Sequence, residues 1–350
     1  MQLYNKEDKN ILKKRMEDSN EERLTLSFYK YHQIEKPKEF RDFFFTTFND
    51  IEVFGRVYIA KEGINGQVSV SKANFKEFKK RIHAIDFLDK VRLNIAVDDD
   101  GKSFYKLIVK VKDKIVADGL DDSTFDSSKG GTHLDAESFN KLADQDDTVI
   151  IDMRNHYESE VGHFKGALLP DADTFREALP MAEKMLEGKE ENPVIMYCTG
   201  GIRCEKASAY FKHKGFKQVY QVEGGIIKYA QDAKEKGIEN KYIGKNFVFD
   251  ERLGERISDD VISKCHQCGK PSDRHTNCKN NACHLLFIQC EECAKKYDNC
   301  CSQECSDIIK LPEEEQKKIR QGKDLGRQVF KKGRWNKPSD YKKHLESTED

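Results

Sequence analysis

No stretch of this 350-residue chain approaches the roughly 18 consecutive apolar residues that a membrane-spanning helix needs. The opening segment, MQLYNKEDKNILKKRMEDSNEER, lacks the apolar core of a secretory signal. Net charge is almost missing as well: at −1, affinity for a polyanion has to come from local patches. There is no internal repeat, and no flavin, haem or non-haem-iron motif. These absences point to a cytoplasmic protein with no membrane partner, and they leave its electron donor and oligomeric state unread.

What is present is enough for two or three modest domains. The chain is 37% hydrophobic and 35% charged. Its eleven cysteines are unevenly placed: two at Cys198 and Cys204, the other nine between Cys265 and Cys305. An odd number without an export signal argues for metal ligands or reactive thiols rather than a disulfide framework.

Residues 1–20 read as a charged lead-in, partly disordered. Residues 21–118 then run strand (LTLSFYKY), helix (PKEFRDFFFTTFND), two strands (VFGRVYIA, INGQVSV), helix (KANFKEFKKRIHAI) and strands (VRLNIAV, YKLIVKVK). That order predicts a ferredoxin-like α+β domain, with alternation marking one solvated sheet face. An Asp-, Ser- and Gly-rich linker at 119–131 follows. In residues 132–245 the short apolar runs TVIID and PVIMYC alternate with amphipathic helices, which predicts a doubly wound parallel-sheet domain. Residues 246–310 form a small Cys-rich module, and 311–350 a charged basic tail.

The segment VIMYCTGGIRCEKASAYF carries the most chemistry. Cys198 closes a predicted parallel strand and faces the start of a helix that ends at Gly215, the place where open α/β sheets put their ligands. Thr199, Gly200, Gly201 and Ile202 let the backbone curl so that successive N–H groups point inward as an anion nest. Nest and helix dipole both favour thiolate over thiol, and Arg203 adds a fixed positive charge at the rim. Cysteine phosphatases place five residues between Cys and Arg; here there are four, a smaller cradle that suits a persulfide or one compact group. Cys204, in the first helical turn, either packs inward or serves as a resolving thiol for oxidised Cys198.

This domain resembles the rhodanese (sulfurtransferase) family. VIIDMRNHYESEVGHFKGA carries that family's Asp-x-Arg, Glu, Gly-His and Gly-Ala at Asp152, Arg154, Glu158, Gly162, His163, Gly166 and Ala167, and VYQVEGGIIKYA resembles its closing strand, Gly-Gly turn and helix. Asp152 and Arg154 are expected to brace the loop through hydrogen bonds, and His163 to be structural.

After it, Cys265-x2-Cys268 and Cys290-x2-Cys293 form two knuckles 21 residues apart, a spacing that predicts a structural zinc site held by those four thiolates. Cys278, Cys283, Cys300, Cys301 and Cys305 are left without an assignment. So short a segment has little apolar material for a core, so a metal would supply its folding energy. Lys317 to Lys337 holds nine Lys or Arg against one Asp, with Phe330 and Trp335 interleaved, a composition suited to RNA backbone and unstacked bases. Lys61 and the Gly63–Gly66 turn are a second candidate RNA contact.

Taken over residues 24 to 310, RVYIAKEGINGQVSV, CTGGIRCEKASAY and CHQCGKPSDRHTNC with its following cysteines resemble the rhodanese-containing, oxygen-dependent tRNA uridine hydroxylases. Ser272 departs from the pattern, standing where many relatives have cysteine. The resemblance implies hydroxylation of the anticodon wobble uridine to 5-hydroxyuridine, O2 as co-substrate, tRNA as partner and an essential loop cysteine, as thiolate or persulfide. The competing expectation is a sulfurtransferase that passes persulfide sulfur to an acceptor; the loop's length favours it and the flanking domains do not.

Overall fold

A computed structural model describes residues 7, 9–121, 125, 129–322 and 328–331. Part of the expected lead-in is helical, and residues 1–6 and 8 lie outside the described residues. Lys9–Asp18 form α1, whose Leu12 and Met16 are buried, so apolar spacing outweighs the high charge of the segment.

Strand β1 (Arg23–Tyr31) alternates in burial: Leu26 and Phe28 point into the core, while Ser27, Tyr29 and Tyr31 line the opposite face. Helix α2 (Pro37–Asn49), strands β2 (Phe54–Ala60) and β3 (Gly63–Ser71), helix α3 (Phe75–His83), a 3₁₀ turn at Asp86–Leu88 and strands β4 (Asn94–Ile95) and β5 (Leu107–Val111) complete the domain. The sheet runs β4-β1-β3-β2-β5, with β2 and β5 parallel and the other pairs antiparallel. Phe44 and Phe48 of α2, and Phe78 and Ile82 of α3, each at i,i+4 spacing, cover the Phe28 face. The segment expected to turn through Gly63–Gly66 is part of strand β3. Gly63 is there because its neighbour comes close: a Cβ would lie 2.1 Å from the Lys30 carbonyl oxygen.

The central domain holds β6 (Thr132–Leu134), α4 (Ala136–Ala143), β7 (Val149–Asp152), α5 (His156–Ser159), β8 (Gly162–Phe164), α6 (Phe175–Met185), β9 (Pro193–Tyr197), α7 (Ile202–His213), β10 (Gln218–Val222) and α8 (Gly225–Lys236). Its sheet is wholly parallel, in the order β6-β10-β9-β7. Strand β9 is buried at every position, with α6 and α7 on one face and α4 and α8 on the other. Asp135 and Thr174 cap α4 and α6 by accepting the N–H groups of Ser138 and Glu177.

Strand β11 (Tyr242–Asn246) leaves this domain while pairing antiparallel with β8 and with β12 (Glu255–Arg256). The Cys-rich module adds the antiparallel pair β13 (His275–Asn277) and β14 (Leu286–Ile288), then α9 (Glu291–Lys296), α10 (Gln303–Ile308) and α11 (Glu313–Arg320). Leu286 and Ile288 pack with Tyr157, Val161 and Phe247, joining the module to the central domain. Residues 328–331 return to pair with Leu286. Phe330 is 6% exposed, packed in the module core 4.4 Å from the His266 ring, so it is not available for stacking on a base. Trp335 and most of the basic tail lie outside the described residues. Among the described residues no helix is long and apolar enough to cross a membrane.

Candidate active site

Cys198 sits at the carboxyl end of β9, where the chain turns into α7, and is 1% exposed. The turn requires Gly201 at φ +99°, a conformation that side-chain-bearing residues rarely adopt. The Gly201 N–H donates to Cys198 Sγ at 3.2 Å. From behind, α8 takes the loop's carbonyls: Ile226 N–H donates to Cys198 O at 3.0 Å and Ile227 N–H to Thr199 O at 3.3 Å. Gly225 makes this approach possible, since a Cβ there would lie 2.5 Å from Cys198 O. The second motif, VEGGIIKYA, is therefore the floor of the first.

Burial alone would push the Cys198 thiol up. The Cys204 thiol, the Arg203 guanidinium and the N–H groups of Arg203 and Cys204 outweigh it, and Cys198 is lowered to about 6. Cys204 is fully buried in the core between α6, α7 and the sheet. Burial and donation to Cys198 push its own thiol well up, so it is a hydrogen-bond donor to the loop cysteine and a poor thiolate. Arg203 is not a free rim charge. It forms a bidentate pair with fully buried Glu158 (2.7 and 2.8 Å) and reaches Thr199 Oγ1 at 3.5 Å. Glu158, in the sequence only one letter of a motif, is thus the residue that fixes Arg203. Its Oε1 also accepts the Asn155 N–H in a capping box at the start of α5.

Asp152 and Arg154 are both buried and paired at 2.6 Å. Arg154 also donates to the Tyr242 hydroxyl and the Gly162 carbonyl, so this pair ties the end of β7 to β8 and β11. No hydrogen bond of either side chain reaches the loop itself. His163 Nδ1–H donates to Ser159 O at 2.9 Å within the same brace, and Gly166 takes φ +74° in the turn after β8, just before Ala167.

The outer wall of the loop comes from a different domain, which the sequence did not indicate. The Tyr29 hydroxyl donates to Glu205 at 3.1 Å and packs so close to Gly201 that a Cβ there would come within 2.8 Å of it. The Tyr31 hydroxyl donates to Ile202 O at 3.3 Å. Lys206 of α7, 1% exposed, pairs with Glu62 at 2.7 Å and Asp118 at 3.6 Å. The only available signal was the polar and aromatic alternation of β1. Between the β1–β3–β2 face, the loop and β13 of the Cys-rich module lies a cleft of about 1350 Å³, lined by Cys198, Thr199, Gly200, Ile202 and Arg203 among others.

None of the eleven cysteines is joined in a disulfide. Cys265, Cys268, Cys290 and Cys293 converge, with their sulfurs within 4.8 Å of one another, and could hold a metal ion. Cys278, Cys283, Cys301 and Cys305 form a second such group, which spacing alone does not assign. Sulfur–sulfur distances of 3.6 Å in each group fit the edge of about 3.8 Å that a tetrahedron of Zn–S bonds of about 2.3 Å requires. Neither group calls on a thiol at position 272, where Ser272 instead bonds Ser263.

Three family models match in order along the chain: a UPF0176 acylphosphatase-like domain at 23–115, a rhodanese-like domain at 135–232 and a rhodanese C-terminal region at 243–306. A protein of Photorhabdus laumondii named tRNA uridine(34) hydroxylase is 56% identical over 333 residues, 95% of each chain. Proteins of the same name from Yersinia pestis and Yersinia pseudotuberculosis are 57% identical over 95% of this chain and 94% of theirs. With the match running through all three domains and the reactive loop intact, the chain belongs to the tRNA uridine(34) hydroxylase family.

Proposed function

We propose that this protein is a tRNA-modifying enzyme that hydroxylates C5 of the anticodon wobble uridine, with Cys198 as its nucleophile. The observation that carries the reading is a buried cysteine lowered to about 6 and opening onto a three-domain cleft. It occurs in a chain whose relatives bear that enzyme's name over nearly their whole length. Labour divides among units at 21–118, 132–245 and 246–310, with the loop in the second and the cleft walls in the other two.

A thiolate adds to the electrophilic C6 of uracil, and the displaced electron pair makes C5 nucleophilic toward oxygen. One atom of O2 is retained at C5, and the other leaves as water at the expense of two electrons and two protons from an external reductant. Expulsion of Cys198 with loss of the C5 proton restores the ring. The loop N–H groups and Arg203 stabilise the thiolate before addition and after release; Glu158 keeps Arg203 in place. The cradle also admits a persulfide on Cys198. A wobble base has to leave its stack to reach so recessed a sulfur.

We infer that each four-cysteine group holds structural zinc, which supplies folding energy to a module with little apolar core. No step of the reaction passes through it.

The test is nucleoside mass spectrometry of tRNA from cells carrying the wild-type or Cys198→Ser protein, in air and without oxygen. Loss of 5-hydroxyuridine with retained tRNA binding is expected in the variant, together with dependence on air. Hydroxylation that survives in Cys198→Ser would overturn the reading. Loss of a thiolated base instead would assign the loop to sulfur transfer.

A further inference from the structure

Two polar side chains facing the reactive loop have no hydrogen-bond partner among the described residues. Ser27 of β1 and Gln67 of β3 stand opposite each other in the strand register, on the sheet face turned away from the phenylalanine core. Both are half-buried, and both line the cleft that holds Cys198. Neighbours on the same face are committed elsewhere: Tyr29 to Glu205, Asn65 to the Ile115 carbonyl and Arg56 to the Phe249 carbonyl. The Ser27 hydroxyl and the Gln67 carboxamide stay open to the cleft, where a bound base can take the place of water on them.

Ser27 stands against the loop itself. Ser27 Oγ lies 3.6 Å from where a Cβ on Gly200 would be, so the glycine leaves open space between hydroxyl and loop. Gln67 is one strand further across the sheet, about 5 Å away by strand pairing. The pyrimidine imide edge offers acceptor, donor and acceptor in a row. A carboxamide pairs with the imide N–H and one adjacent carbonyl at once, and a hydroxyl beside it donates to the other carbonyl. On the module side of the cleft, Arg274 and Lys279 are exposed and pair with no carboxylate among the described residues, which suits a phosphate backbone.

We propose that Gln67, seconded by Ser27, is the specificity-determining contact that reads the imide edge of the uridine presented to Cys198. The proposal rests on the tRNA-hydroxylase reading above for the identity of that base. The sheet face thus selects the base, while the loop does the chemistry.

The experiment measures equilibrium binding of two synthetic anticodon stem-loop RNAs, one with uridine and one with N3-methyluridine at the wobble position, to the chemically inert Cys198→Ser protein. Cys198→Ser is expected to prefer uridine by roughly 5- to 150-fold, the range for one bidentate base contact. Adding Gln67→Leu should abolish that preference, and adding Ser27→Ala should reduce it. The single Gln67→Leu variant should retain the wild-type pH profile of Cys198 alkylation, so that an altered loop is not the cause. Equal binding of the two RNAs by Cys198→Ser, or a preference that survives Gln67→Leu, would overturn the proposal. These readouts need no turnover, so absence of hydroxylation in the wild type would sink the functional reading, while the binding ratio alone decides the role of Gln67.

Discussion

Removing the Cys204 thiol tests how the loop holds its charge. Cys198 is lowered to about 6 against its burial by the Cys204 thiol, the Arg203 charge and the N–H groups of residues 203 and 204. A hydrogen bond to a charged group contributes about 1.5–3 kcal/mol, and S–H donors fall at the weak end of such ranges. At about 1.36 kcal/mol per pKa unit, losing one raises the Cys198 midpoint by about one unit, to about 7. The direction follows from the donor favouring only the thiolate. Because the thiolate is the species that alkylates, Cys204→Ala should react about threefold more slowly than wild type with iodoacetamide at pH 6.5, and equally fast above about pH 8.5. Cys204→Ser keeps a donor of nearly the same size and should keep the midpoint near 6. Peptide-resolved mass spectrometry separates Cys198 from the other cysteines. A Cys204→Ala midpoint unchanged from wild type, or a Cys204→Ser midpoint shifted as far, would refute the argument.

Metal analysis should find two zinc ions per wild-type chain and about one in Cys278→Ser, while Cys300→Ser, outside both sulfur groups, keeps two; a single ion in the wild type counts against the second site. Gly225→Ala places a Cβ 2.5 Å from the Cys198 carbonyl oxygen at a residue with φ +67°, and should destabilise the protein by about 1–3 kcal/mol in chemical denaturation. Wild-type stability in that variant would show that the loop floor yields.

The legible parts of the molecule were those whose cause is local in sequence. The unbroken apolar run Pro193–Tyr197 announced a strand covered on both faces, and two glycines after Cys198 announced an anion nest. Two Cys-x2-Cys knuckles marked the first sulfur group because each pair sits on one tight turn. The second group joins an x4 pair to an x3 pair, spacings that single out no geometry until the chain has folded. Tyr29 and Glu205 are 176 residues apart, so no pattern in either segment could show that one domain's strand walls another's loop. Glu158 was visible only as a motif letter; its role appears once α5 carries it to Arg203. The charge of the tail drew attention to Phe330 as an exposed ring, whereas its backbone pairing with Leu286 draws it into the module core.

Lys206 carries a consequence for how the chain can come apart. Its ammonium is enclosed, and the carboxylates that balance it, Glu62 and Asp118, lie outside the rhodanese-like segment, near the tip of the β2–β3 hairpin and past the end of β5. An excised central domain would therefore lose both of those carboxylates and open Lys206 of α7 to water. Swinging the N-terminal domain away would break the same two pairs. The groups that hold Cys198 low, Cys204 and Arg203, belong to the central domain, so the junction with the N-terminal domain governs access to the nucleophile and not its charge.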